Sequence, residues 1–166
     1  MKTTIIFGSS TDNTKQAAQL IAKKLSDFSP KVIDVAKATE ADFNEAELLI
    51  LGTSTWGMGD LQDDWEDFLP KFANINLSGK KVAIFGLGDG DSYPDTFVDG
   101  IGILYETCLD KGCEIIGKVP TTGYTYDESR AIVDGVFIGL PLNEDSESNQ
   151  TESRVNNWIE IIKSSL

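Results

Sequence analysis

Three short segments hold most of the residues that could do chemistry. The first is Gly8-Ser9-Ser10-Thr11-Asp12-Asn13-Thr14. It places four hydroxyls and an amide where an apolar-periodic segment begins. A helix N-terminus offers free backbone N–H groups and a partial positive charge, so it can accept a phosphate without a lysine. The competing reading is a Ser/Thr-rich cap that binds nothing, but a cap needs only one hydroxyl. The segment is not a P-loop, because Asn13 stands where a glycine is required. Nor is it a dinucleotide fingerprint, because Ser10 and Asn13 occupy glycine positions.

The second segment is Thr53-Ser54-Thr55-Trp56-Gly57-Met58-Gly59-Asp60. An indole in a glycine-bounded loop can cover a flat aromatic ligand or pack on a neighbouring helix. Gly57 tolerates positive φ, so its peptide can change orientation at low cost. The third is Gly86-Leu87-Gly88-Asp89-Gly90-Asp91-Ser92-Tyr93-Pro94. It offers a second ring and backbone that can approach a ligand closely. Asp89 and Asp91 argue against a phosphate at this loop, and Pro94 breaks an EF-hand reading.

These loops need elements to position them. Thr3–Phe7, Lys31–Val35, Leu48–Thr53, Lys81–Leu87 and Glu114–Val119 read as strands, the last resuming at 136–142. A helix opens at Asp12 or Asn13 with the stripe Ala17, Leu20, Ile21, Leu25 and Phe28. A poorly signalled helix lies near 40–45. Trp65, Phe68, Leu69 and Phe72 mark another, interrupted or started near Pro70. Phe97, Ile101, Leu104 and Cys108 mark the next, and Val155, Trp158, Ile159, Ile162 and Leu166 the last. Trp65 and Trp158 read as core. Residues 120–135 are not periodic and read as an insertion. Alternating βα units imply a three-layer α/β/α sandwich around a parallel sheet, one domain over 1–166. Ligands in such sheets bind at the carboxyl ends of the strands.

Composition narrows the function. Fourteen basic and 27 acidic side chains give a formal charge of −13, which excludes an electrostatically driven nucleic-acid binder and disfavours anionic lipid. There is no histidine, so no Ser-His-Asp triad and no imidazole-ligated zinc. Cys108 and Cys113 are too few for an iron–sulfur cluster and read as reduced, structural thiols. No apolar run reaches membrane-span length and no signal-peptide core is present, so a cytoplasmic location is expected.

Taken together, these residues resemble the flavodoxins. The resemblance rests on Gly-Ser-x-Thr-x-Asn-Thr from Gly8, Thr-Trp-Gly-x-Gly-Asp-Leu-Gln-x-Asp-Trp from Thr55, and Gly-x-Gly-Asp-x-x-x-Tyr from Gly86. It continues through Gly123-Tyr124, Phe137-x-Gly-Leu140 and Glu144-Asp145, and so spans nearly the whole chain. The interrupted fifth strand is similar to the long-chain class. The resemblance implies a five-stranded parallel sheet of order 2-1-3-4-5 and non-covalent FMN. It implies that Ser9, Ser10, Thr11, Asp12, Asn13 and Thr14 hold the phosphate. It places the flavin between Trp56 and Tyr93, with Thr53, Ser54, Thr55, Gly57, Met58, Leu87, Gly88, Asp89 and Asp145 around it. Asp12 departs from the family's usual glycine.

The family's role implies a low-potential one-electron carrier that shuttles between semiquinone and hydroquinone. Such a carrier serves reductases, pyruvate-oxidising enzymes or nitrogenase, and a monomer is expected. The alternative is a flavodoxin-like reductase acting on a quinone, which needs space that Trp56 and Tyr93 would fill. A response regulator is excluded by Gly8-Ser9-Ser10 and Thr53-Ser54, where acidic residues would be required. Segments 60–67, 89–99 and 144–152 carry 13 acids and no lysine or arginine. All three follow strands, so they should ring the flavin edge and steer basic docking faces of redox partners.

Overall fold

A computed structural model describes residues 1–166. Its elements run β1 (Thr3–Phe7), α1 (Asn13–Lys24), β2 (Lys31–Asp34), α2 (Glu40–Asn44), β3 (Leu48–Trp56), β4 (Asp60–Leu61), α3 (Asp63–Phe72), β5 (Lys81–Leu87) and α4 (Asp99–Cys108). Then follow β6 (Glu114–Ile116), β7 (Ile132–Val133), β8 (Val136–Phe137), β9 (Leu140–Leu142), α5 (Glu144–Glu147) and α6 (Thr151–Ser164). The main sheet is ordered β2-β1-β3-β5-β6 with parallel neighbours, and β9 pairs with β5 beyond β6. Counted as one interrupted strand, β6 and β9 complete the expected 2-1-3-4-5 order.

The central strands are apolar on both faces because both faces are covered. On one side Ile6, Leu49, Leu51 and Ile84 pack with Trp65 and Phe72 of α3 and Ile101 and Leu104 of α4. On the other, Ile5, Ile50 and Phe85 pack with Ala18 and Ile21 of α1 and Trp158 and Ile162 of α6. Alternate residues of one strand point to opposite faces, so a two-sided sheet needs this unbroken apolar run. Trp65 and Trp158 are fully buried, and each indole N–H donates to a backbone carbonyl, of Gly52 and Gly117 respectively. Truncating either would cost about 3–5 kcal/mol.

Several boundaries differ from the sequence reading. Pro70 neither starts nor interrupts α3; it lies in the last turn, and the helix runs on to Phe72. Leu166 is exposed beyond the end of α6. The fifth strand stops at Ile116 rather than Val119. Gly117, at φ 82°, turns the chain there, and a Cβ on it would come within 2.7 Å of the Trp158 indole nitrogen. The strand does not resume at Val136. Asp134 and Gly135 have φ 53° and 82°, the two-residue turn that closes hairpins, so β8 folds back on β7. The parallel strand resumes only at Leu140.

The insertion therefore spans 117–139, and it packs on the fold. Phe97, Tyr124, Tyr126 and Phe137 form one aromatic cluster with ring centroids 5.2–6.1 Å apart. The Tyr124 hydroxyl donates to the Pro141 carbonyl at 2.9 Å, and the Arg154 guanidinium lies 4.1 Å over the Tyr124 ring.

At the end where strands begin, lysines close helix C-termini, whose free carbonyls carry partial negative charge. The Lys111 ammonium donates to the carbonyls of Phe72, Ala73 and Ile75 at the end of α3, at 2.7–3.1 Å. Lys80 donates to those of Asn44 and Ala46 at the end of α2, and Lys81 to that of Ser165 after α6.

Candidate functional site

At the opposite end, where β1, β3, β5 and β9 finish, a cleft opens. It is lined by Thr11, Asn13 and Thr14 from the first loop and Ser54, Thr55, Trp56 and Gly57 from the second. Leu87, Gly88, Asp89 and Tyr93 come from the third, with Glu144 and Asp145. It holds about 590 Å³ of open space, its mouth included. Parallel pairing explains the convergence: strands that start together finish together, so their following loops meet on one edge.

The first loop is built from beneath. Gly8 bonds to the Gly52 carbonyl at 2.9 Å, and a Cβ on Gly8 would meet Gln62 Oε1 at 2.2 Å. Only glycine lets the loop pass that close. Asp12 follows in the left-handed region at φ 67°, and its side chain makes no capping bond. The N–H groups of Asn13 and Thr14 have no acceptor in the chain, and that of Lys15 has only Ser9 Oγ at 3.4 Å. Free N–H groups at the start of a 12-residue helix attract an anion.

Gln62 stands in the motif that begins at Thr55, but the sequence reading gave it no role. It is buried at 1% exposure and caps α3, accepting from the Trp65 N–H at 3.2 Å. Its amide nitrogen donates to Ser10 Oγ at 3.2 Å and Asp64 Oδ2 at 2.9 Å. Its signal was available, as a hydrogen-bonding residue directly before the α3 stripe. Glu144 was missed as well, although its neighbour Asp145 was named.

The second loop forms a tight connection between β3 and β4, with Trp56 opposite Asp60. Gly57 and Gly59 have φ 52° and 92°. Trp56 is 41% exposed, and its indole N–H donates to Ser54 Oγ at 2.7 Å, which fixes the ring plane. Tyr93 is 55% exposed. Both rings line the cleft rather than the core. Glycine is also required at Gly100 in α4, where a Cβ would come within 3.0 Å of Thr53, Ser54 and Thr55. The Gly100 N–H donates to Thr55 Oγ1 at 3.0 Å.

Not every named residue lines the cleft. Thr53 is fully buried and its hydroxyl donates to the Ser54 carbonyl. Ser9, Ser10 and Asp12 belong to the loop but not to the cleft wall, and Met58 is 91% exposed at the turn tip. Asp89 lines the cleft, yet its carboxylate serves the scaffold. It accepts from the N–H groups of Asp91 and Ser92 and from Ser146 Oγ at 2.8–3.2 Å, tying the third loop to α5. Burial opposes its charge, but the bonds from Ser146, Ser92 and Asp91 outweigh that and hold its carboxyl below the usual range. Asp99 behaves oppositely. Burial raises its pKa, although it accepts from the Arg130 N–H. No helix is long and apolar enough to cross a membrane.

Comparison with known proteins gives this arrangement a context. The family model described as flavodoxin matches residues 5–158. The chain is 42% identical to a Synechocystis flavodoxin over 96% of this chain and 94% of that one. It is 38% identical to Escherichia coli flavodoxin 1 over 99% and 94%. Its structure is similar to that of Fusobacterium nucleatum flavodoxin bound to flavin mononucleotide, with a TM-score of 0.94, 34% identity, and 100% and 99% of the chains covered. From its cleft-lining loops to its sheet order, the chain belongs to the flavodoxin family.

Proposed function

We propose that this chain is a single FMN-binding domain of the long-chain class and a low-potential one-electron carrier. The observation that carries the reading is one cleft with free helix N–H groups at one end and two exposed rings, Trp56 and Tyr93, at the other. FMN has that shape, a phosphate at one end and a flat ring at the other. The donor set also fits, because hydroxyls and backbone N–H groups suit a phosphate and no cation is needed.

Ser9, Ser10, Thr11, Asn13 and Thr14 would hold the phosphate, with Asp12 contributing backbone. Trp56 and Tyr93 would flank the ring. Ser54, Thr55, Gly57, Leu87, Gly88, Asp89 and Asp145 would frame it, with Thr53 supporting the second loop from beneath and Met58 at its tip. Bound FMN supplies the electron chemistry, and the protein sets its potential. Acidic side chains resist negative charge arriving in the cleft, and each unit charge about 10 Å away in water contributes about 0.4 kcal/mol. Rings over both faces leave no bed for a quinone, so the reductase reading is not favoured. The acidic rim suits transient, salt-sensitive docking with basic faces of partners such as reductases, pyruvate-oxidising enzymes or nitrogenase. A cytoplasmic monomer fits these roles.

Stepwise photoreduction of the FMN-loaded protein tests the reading. Accumulation of the one-electron-reduced form, with the second electron entering only at low potential, supports a carrier. Direct two-electron reduction, or steady pyridine-nucleotide oxidation without a reductase, would overturn it.

A further inference from the structure

The end of the molecule opposite the cleft holds the chain's two cysteines side by side. Cys108 closes α4 and is 3% exposed; Cys113 stands half-buried just before β6. The four-residue return between them is imposed by the surrounding backbone. Asp110 and Gly112 take φ 64° and 81°. The carbonyls of Lys111 and Gly112 accept from the N–H groups of Leu77 and Gly79 at 3.2 and 3.3 Å. A Cβ on Gly112 would meet Ser78 Oγ at 2.6 Å. The turn brings Cys113 back onto the end of α4, where its S–H donates to the Cys108 carbonyl at 3.6 Å.

We propose that Cys108 and Cys113 form a reversible dithiol–disulfide site that reacts with low-molecular-weight disulfides, with Cys113 as the attacking thiol and Cys108 as the resolving one. The two thiols differ in the sense this order needs. Once Cys113 has ionised, the neighbouring Cys108 thiol favours its thiolate. With the Lys111 charge nearby, this lowers Cys113 to about 7 despite partial burial. The same contact, together with burial, pushes Cys108 up. A thiol that titrates near ambient pH is the most effective attacker in exchange.

The Cys113 thiolate attacks one sulfur of RSSR. A Cys113–SR bond forms, the S–S bond breaks, and RS⁻ leaves. That step removes the negative charge beside Cys108, which then ionises more readily. The Cys108 sulfur attacks Cys113, the Cys108–Cys113 bond forms, and the second RS⁻ leaves. Both thiol protons pass to the two leaving thiolates. The protein loses two electrons and RSSR becomes two RSH. The site lies at the start of β5 and β6, about 20 Å along the sheet from the cleft at about 3.3 Å per residue. Its chemistry is therefore separate from any flavin.

The test uses the full-length protein equilibrated with reduced and oxidised glutathione, followed by intact mass and alkylation of the remaining thiols. The expected product is an intramolecular disulfide, with the mass of two hydrogens lost and both cysteines protected. In Cys108→Ser, a single glutathione should remain on Cys113. In the reduced protein, iodoacetamide should label Cys113 at least about tenfold faster than Cys108. A stable glutathione adduct on the unsubstituted protein, an intermolecular dimer, thiols unreactive in fully oxidised buffer, or faster labelling of Cys108 would each overturn the proposal. The unsubstituted protein decides the question even if the variant fails to fold.

Discussion

The Gln62 side-chain nitrogen lies 3.2 Å from Ser10 Oγ, joining the residue that caps α3 to the loop that opens α1. Gln62 follows directly on β4, which pairs with the strand carrying Trp56. One buried amide thus ties the start of α3 to the loop that opens α1.

Replacing Gln62 by Leu should weaken FMN binding about 2- to 10-fold, the worth of one net hydrogen bond, and leave riboflavin binding nearly unchanged. Loss of the cap should also destabilise the apoprotein by about 1 kcal/mol. Fluorescence titration with both ligands checks this. Equal losses for FMN and riboflavin would show that Gln62 supports the fold and not the loop.

Asp12→Gly should tighten FMN binding several-fold. The substitution relieves a non-glycine left-handed residue and removes a carboxylate near the phosphate loop. The charge component should shrink as salt is added, because exposed charges are screened over about 10 Å at 0.1 M. An unchanged affinity at low and high salt would mean that the Asp12 carboxylate is too remote to matter.

Trp56→Ala and Tyr93→Ala should lower FMN and riboflavin affinity to the same degree, by roughly 0.5–1.5 kcal/mol each from lost stacking. Both side chains are substantially exposed, so urea midpoints of the apoprotein should barely move. A large stability loss would mark either ring as structural.

Asp89→Asn should destabilise the protein at neutral pH. The folded carboxyl titrates below its unfolded value, so its stabilising contribution is present above the unfolded pKa of about 3.9. It is lost as pH falls through the lower folded pKa. Urea midpoints of the two proteins should therefore differ at pH 7 and converge in acid. A gap that widens in acid would reverse the assignment.

Much of this architecture could be read from residue order. Leu48–Thr53 and Lys81–Leu87 announce buried parallel strands because nothing polar interrupts them, and the Trp65 and Trp158 stripes announce core helices. Three loops at one edge followed directly. The missed features depend on distant partners. Val136 and Phe137 have a strand's composition, but which strand they join is set by the Asp134-Gly135 turn and by Val119. Gln62 can be read from its position as a cap for α3, but not its bond to Ser10, 52 residues away. Asp89 reads as a ligand-facing carboxylate, whereas Ser146 claims it from the far side of the sequence.

The lysines that close the helix ends bear on how the protein meets a partner. Lys80, Lys81 and Lys111 are anchored where the strands begin, while Glu144, Asp145 and Asp89 border the cleft where the strands end. Opposite charges held at the two ends of the sheet contribute to a dipole along the strands. In the field of a positively charged surface such a body experiences a torque as well as an attraction. Rotational alignment would then precede contact, and the cleft would arrive first.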